Sequence, residues 1–241
     1  MKAILLAAGY GKRLRPLTKS TPKCLIKING VPLLERWLNL LSHQKINEVL
    51  INTHYLAHKV EKFIECIRHK DPGLHIELKY EEKLLGTAGT VWFNQDFIGN
   101  NDCIIINADN LANVNLLDIY NFHKKNNKLV TLGYLNKKDA TGCGVLELGE
   151  NSIITKFEEK PKIPFSKLVY SGIQVISSEV FNLLPFKERR SNNYINLDFG
   201  YDIFPNLIGD MVGYKLDYLL LDIGTLESYY KAKKVWPKSI K

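Results

Sequence analysis

Short apolar runs alternate with amphipathic stretches through the first half of the chain. Residues 3–8 have the length and composition of a strand and break into Gly9-Tyr10-Gly11. Behind Asn29-Gly30 and Pro32, the residues Leu34, Trp37, Leu38 and Leu41 recur at helical spacing. Residues 48–52 read as a second strand, and Val60, Phe63, Ile64 and Ile67 mark one face of a second helix. Asp71-Pro72-Gly73 stops that helix before a third strand, His75–Tyr80. This rhythm predicts a doubly wound α/β sheet. Gly86 to Gly89 opens another helix, and Cys103–Asn107 is a buried strand that ends at Ala108-Asp109. The middle is richer in strands: 128–135, Gly144–Leu148, 153–157 and Leu168–Ile176, with turns at 149–151 and 161–164. A last apolar run, 218–221, leads to Asp222, and Thr225 and Ser228 offer caps to a closing helix.

Composition narrows the class. A chain of 241 residues, 45% of them hydrophobic, fits one large α/β domain with insertions. The formal net charge of +8 comes from Lys and Arg scattered among Asp and Glu, without a long basic run, so no nucleic-acid partner is expected. Cys24, Cys66, Cys103 and Cys143 lack C-x-x-C spacing and read as reduced thiols. No apolar stretch approaches the roughly 20 residues that span a bilayer, and the N-terminal run leads into the glycine loop rather than a cleavage site. A cytoplasmic protein without a membrane partner is expected.

The cations do cluster once. Lys12, Arg13, Arg15, Lys19 and Lys23 follow the glycine loop, and bare backbone N–H groups beside fixed positive charge suit a polyphosphate. The dinucleotide fingerprint fails, because Leu14 stands where its third glycine belongs. The Walker-type loop fails too, because Gly11-Lys12 is followed by Arg13. Asp109 and Asp222 each follow an apolar run, where open α/β sheets bind ligands; a helix cap is the alternative reading of Asp109. Two such aspartates could share a divalent cation held chiefly by phosphates.

Gly9-x-Gly11-x-Arg13 followed by Pro22-Lys23 resembles the signature of the sugar-1-phosphate nucleotidyltransferases, which join a nucleoside triphosphate to a sugar 1-phosphate and release pyrophosphate. Leu85-Gly86-Thr87-Ala88-Gly89, Gly142-x-Gly144-Val145, Glu158-Glu159-Lys160-Pro161 and Tyr170-Ser171-Gly172-Ile173 fall in the same family's order, and Asp198 to Leu207 resembles its late helix. The resemblance runs from Lys2 to about Lys234, and the form Leu-Gly-Thr-Ala-Gly is closest to the mannose-1-phosphate guanylyltransferase-like, GDP-mannose-forming branch. It departs at Lys12 for a small hydroxyl residue, at Asn107-Ala108-Asp109 for Gly-Asp, and at Leu226 for proline. Because the sequence runs only a few residues past Trp236, the β-helical tail of some longer relatives is not expected here.

The resemblance implies a Rossmann-like three-layer sandwich with a mostly parallel central sheet and a strand-rich sugar-binding insertion. It implies one domain over 1–241, with 1–125 mainly nucleotide-binding, 126–215 mainly on the acceptor side, and 216–236 as closing strand and helix. It gives Arg13 and Lys23 to catalysis, and Leu6, Ala8, Gly9, Gly11, Glu81, Gly86 and Thr87 to the nucleotide. Gly144, Glu159, Lys160 and Gly172 fall to the sugar phosphate, and Asp109 and Asp222 to Mg²⁺. GTP is favoured because guanine presents N1–H and N2–H₂ as adjacent donors that a carboxylate such as Glu81 or Glu82 accepts. Mannose 1-phosphate or a related hexose or heptose phosphate is the expected acceptor. Two alternatives stand beside this: cytidylyl or uridylyl transfer to another small phosphorylated acceptor, such as phosphocholine or an amino-sugar phosphate, and a non-catalytic nucleotide-sugar-binding regulator.

Overall fold

The computed structural model describes residues 1–182, 196–217 and 219–237. Tyr218, the first residue of the expected last apolar run, lies outside them. The chain divides into two compact units, one of Met1–Leu84, Ile106–Asn115 and Tyr218–Lys241, the other of Leu85–Ile105 and Leu116–Asp217.

The first unit is built on three parallel strands. Lys2–Leu6 pairs with Glu48–Thr53, which pairs in turn with His75–Tyr80, the register running Lys2↔Glu48↔His75. Their inner positions Ala3, Ile4, Leu5, Val49, Leu50 and Ile51 are fully buried, as expected for parallel strands covered on both faces. Helix Leu33–His43 turns Leu33, Leu34, Trp37, Leu38 and Leu41 inward, and the Trp37 Nε1–H donates to the Asn110 carbonyl at 2.8 Å. Asn29 and Gly30 both take positive φ (49° and 87°), which closes the two-residue turn between Lys27–Ile28 and Val31–Pro32. Helix Ala57–Lys70 buries Val60, Ile64 and Ile67, while Phe63 is half-buried.

Strand Cys103–Asn107 brings its last two residues into this unit, and the Ala108 N–H donates to the Leu6 carbonyl at 3.1 Å. A strand, Asn110–Ala112, follows Asp109, so Asp109 does not cap a helix. Asn110–Ala112 pairs with Leu220–Asp222, whose last residue is Asp222 itself. Thr225 and Ser228 form a reciprocal capping box at the start of helix Leu226–Val235, which supplies Ala232 to a cluster with Leu14, Ile28, Leu33, Leu111, Ile223 and Trp236.

The second unit holds the strand-rich middle. Leu168–Ile176 pairs antiparallel with Val130–Asn136, which pairs parallel with Met211–Lys215. Gly144–Leu148 pairs antiparallel with Ile154–Glu159. The segment from Asp198 is not an α-helix. It forms a π-helical turn, Phe199–Ile203, and then a 3-10 turn, Phe204–Leu207, in which Pro205 has no N–H to continue an α ladder.

His123 lies in this unit, only 3% exposed, with Nδ1 2.8 Å from Thr131 Oγ1 and Nε2 3.9 Å from Asp102 Oδ1. Burial lowers its pKa against the opposing pull of Asp102, which also pairs with Lys124 at 2.9 Å. The unfolded chain takes up this proton as pH falls through about 6.5 and the folded chain resists it. The stability tied to neutral His123 is therefore full above that pH and lost below it, by no more than about 1.4 kcal/mol per pH unit for one proton. Urea midpoints measured from pH 7.5 to 5 should fall less steeply for His123→Gln than for the wild type; equal slopes would dismiss the role of His123.

Candidate active site

The first unit gathers most of the phosphate-side residues. The strand Lys2–Leu6 delivers its chain to Ala8, 6% exposed, and then to Gly9, where no atom lies within 4 Å of the missing Cβ. Gly11 takes φ 61°, and a Cβ there would stand 2.9 Å from Thr18 Cγ2 and 3.1 Å from Lys23 Cβ. Only glycine satisfies both the backbone and the packing at Gly11. Thr18 is buried and donates its hydroxyl to the Gly11 carbonyl at 2.8 Å, fixing the loop against the segment that carries Lys23. Lys12, the unusual loop residue, is exposed and lies 5.3 Å from the centre of the Tyr10 ring.

Lys23 is 9% exposed, and its ammonium pairs with Asp109 Oδ2 at 2.5 Å across 86 residues of sequence. Beside it Cys24 is buried, and burial pushes its thiol up to about 12, with the charge of Asp109 adding to the effect. That thiol is inert at neutral pH. Asp222 lies opposite Asn110, the residue after Asp109, in the ladder between their strands. Arg13 Nη2 and the two Asp222 oxygens come within 3.2, 2.9 and 3.2 Å of one point, the place a Cβ on Gly224 would occupy. Lys23 thus pairs with Asp109, while Arg13 and Asp222 both border Gly224.

Among the described residues no three His, Cys, Asp or Glu side chains form a metal-holding group. Asp109 and Asp222 together offer hard carboxylate oxygens and both are solvent-accessible. Such a set fits Mg²⁺, which is commonly held by one or two carboxylates with substrate phosphates completing its shell.

Glu81 follows strand His75–Tyr80 and is 5% exposed. Its Oε1 accepts from Asn52 Nδ2 at 2.8 Å, and the Asn52 Oδ1 accepts the Ala7 N–H at 2.7 Å. Glu82 is exposed. Leu6 is half-buried and pairs with Asn52 across the ladder. Asn52 and His54, whose Nδ1 lies 2.8 Å from the Glu81 carbonyl oxygen, were not among the expected residues. Their types carry no local signal, although an Asn at the end of an apolar strand could have raised the question of what its amide holds.

The remaining expected residues lie in the second unit. Gly86 takes φ 76°, and a Cβ there would stand 2.3 Å from the Leu197 carbonyl oxygen, so its bareness admits a neighbouring chain segment. The same carbonyl accepts the Ala88 and Gly89 N–H groups at 2.9 and 3.0 Å. Thr87 donates its hydroxyl to Asp198 Oδ2 at 3.0 Å and accepts the Phe199 N–H at 2.9 Å. Asp198 Oδ1 in turn caps the π turn through Gly200 and Tyr201.

Glu159 ends strand Ile154–Glu159, and Lys160 takes φ 50°. Their charges meet at 3.1 Å. A Cβ on Gly144 or Gly200 would stand 2.6 or 2.7 Å from Glu159 Oε2, so both glycines make room for this carboxylate. Burial pushes the Glu159 carboxyl up against the pull of Lys160, and the Lys160 ammonium, although burial opposes it, is held above its ordinary range by Glu159. Gly172, at φ 79°, lies where the ladder between Leu168–Ile176 and Val130–Asn136 slips between Tyr170 and Gln174.

No helix among the described residues is long and apolar enough to cross a membrane. A family model described as nucleotidyl transferase matches residues 2–239. The glucose-1-phosphate adenylyltransferase of Clostridium botulinum is 30% identical over 253 residues, covering 95% of this chain and 64% of that protein. The mannose-1-phosphate guanylyltransferase catalytic subunit beta of Xenopus tropicalis is 26% identical, covering 100% of this chain and 66% of that protein. The chain therefore spans just under two thirds of the length of these curated relatives. A solved structure assigned as a glucose-1-phosphate thymidylyltransferase of Bacillus anthracis, in complex with a sucrose, aligns with a TM-score of 0.87 at 26% identity, covering 98% of this chain and 94% of that one. It bears out the expected α/β class with a mixed, mostly parallel central sheet.

Proposed function

We propose, from the premise that this chain belongs to the nucleotidyl transferase family, that it transfers a nucleotidyl group from a nucleoside triphosphate to a sugar 1-phosphate and releases pyrophosphate. The observation that carries this reading is the meeting of Lys23 and Asp109 at 2.5 Å beside the Gly9–Gly11 loop, with Arg13 and Asp222 converging on Gly224. An oxygen of the sugar phosphate attacks the α-phosphorus in line. The bond from that phosphorus to the α,β-bridging oxygen breaks, and pyrophosphate leaves with the electron pair. The nucleophile is already ionised at neutral pH, so no general base is required.

Charge is the obstacle. Each close pair of like charges costs about 1 kcal/mol in water and about 4 kcal/mol at an effective dielectric near 20. Lys23 and Arg13 offset it at the triphosphate and Lys160 at the sugar phosphate, while Glu159 accepts from sugar hydroxyls. Asp109 holds the Lys23 ammonium in place before any substrate arrives. Asp109 and Asp222 would hold Mg²⁺, which when bound supplies further positive charge to the phosphate oxygens.

We assign GTP as donor and mannose 1-phosphate, or a related hexose or heptose phosphate, as acceptor. The Leu85 to Gly89 sequence and the presence of a carboxylate, Glu81 or Glu82, that could accept both guanine donors support this choice. Pyrophosphate release should be measured with Mg²⁺ across five nucleoside triphosphates and a panel of hexose, amino-sugar and heptose 1-phosphates. Turnover with GTP and one sugar phosphate is expected. Turnover with ATP, UTP, CTP or dTTP instead would retain the chemistry and discard guanine; no turnover with any pair would overturn the function.

A further inference from the structure

We infer that Asn52 and His54 are positioning residues that lock the glycine loop and Glu81 into one fixed relation, an inference that rests on the nucleotide site proposed above. Asn52 belongs to the strand Glu48–Thr53 and His54 follows it directly, two positions apart. They are flanked on one side by Leu6, which pairs with Asn52, and on the other by Tyr80, which pairs with Thr53 and precedes Glu81.

Asn52 is 4% exposed and spans both neighbours with one amide. Its Oδ1 accepts the Ala7 N–H at 2.7 Å and its Nδ2 donates to Glu81 Oε1 at 2.8 Å. A backbone N–H can only donate and a carboxylate can only accept, so a single orientation of the amide serves both.

His54 makes the second tie. Its Nδ1 lies 2.8 Å from the Glu81 carbonyl oxygen, which only accepts, so Nδ1 carries the proton. In the neutral ring Nε2 then accepts, and the Tyr10 hydroxyl donates to it at 2.8 Å. The Tyr10 and His54 rings meet edge to face, 5.2 Å apart at 88°, and Tyr55 packs 5.5 Å from Tyr10. Tyr10 is exposed and lies between two glycines, so its own backbone gives little restraint. The loop is thus referenced to Glu81 twice: its entry through the Glu81 side chain, its crest through the Glu81 main chain. Fixing a bare loop before phosphate arrives reduces the ordering cost of binding.

The test is calorimetric titration of inorganic tripolyphosphate, and separately of GTP, ATP, UTP and dTTP, into the wild type, Tyr10→Phe, His54→Ala and Asn52→Asp. Tyr10→Phe removes one exposed oxygen and should leave the fold intact. Loss of one hydrogen-bonded tie should weaken tripolyphosphate and every nucleotide by a common factor of about five to ten in Tyr10→Phe and His54→Ala. Asn52→Asp places a second carboxylate against Glu81, and its effect on discrimination among the four nucleotides should exceed its effect on tripolyphosphate. Folded Tyr10→Phe and His54→Ala proteins that bind tripolyphosphate within twofold of the wild type would overturn the inference and leave the proposed function standing. A wild type that binds neither tripolyphosphate nor any nucleotide would overturn both.

Discussion

Lys23→Ala should lower kcat/KM by about 10² to 10³, equivalent to about 3–4 kcal/mol of transition-state stabilisation. Lys23 is 9% exposed and stands in a largely desolvated position, where its charge is screened less than at the surface. Among the described residues its ammonium pairs with Asp109, whose side chain is 38% exposed and can be hydrated when the ammonium is gone. Folding should therefore be little affected, with a loss within about 1 kcal/mol, the range of partly exposed ion pairs. Steady-state kinetics and a thermal melt on the same preparation separate the two effects. Activity within threefold of the wild type would remove Lys23 from the mechanism, and a melt that collapses would make it a folding residue instead.

Asp222→Asn should lower kcat/KM at millimolar Mg²⁺ by about 10² or more, the scale of losing one group of a preorganised charge site. The amide keeps the shape of the side chain but neither the charge nor the strength of the carboxylate as a ligand for a hard cation. Asp222 is exposed, and the helix that follows is capped by Thr225 and Ser228 without it, so the fold has little reason to change. A Mg²⁺ titration supplies the second reading: the half-saturating concentration should rise about tenfold, as expected for a metal-affinity change of about 1.4 kcal/mol. An unchanged Mg²⁺ dependence with normal turnover would separate Asp222 from the metal.

Much of the fold was legible because its signals are local. The buried faces of helices Leu33–His43 and Ala57–Lys70, the strands His75–Tyr80 and Leu168–Ile176, and the Thr225–Ser228 cap each follow from periodicity or from contacts a few residues apart. The late segment from Asp198 was less legible. Its composition resembles a helix start, but Pro205 and the Asp198 cap organise a π turn and a 3-10 turn. The Asp109 carboxylate illustrates the same limit, since a capping residue and a ligand residue look alike until the next element proves to be a strand.

By itself the sequence determined the α/β alternation, the glycine loop, the cationic cluster after it and the order of the acidic residues, because each is written within a window of one element. Only the tertiary structure decided which charges meet. Lys23 reaches Asp109 across 86 residues, Tyr10 reaches His54 across 44, and Thr87 reaches Asp198 across 111. Hydrogen bonds and ion pairs act over about 3 Å and carry no periodic signature along the chain. Their partners become known only when the packing of the strands has brought distant residues together.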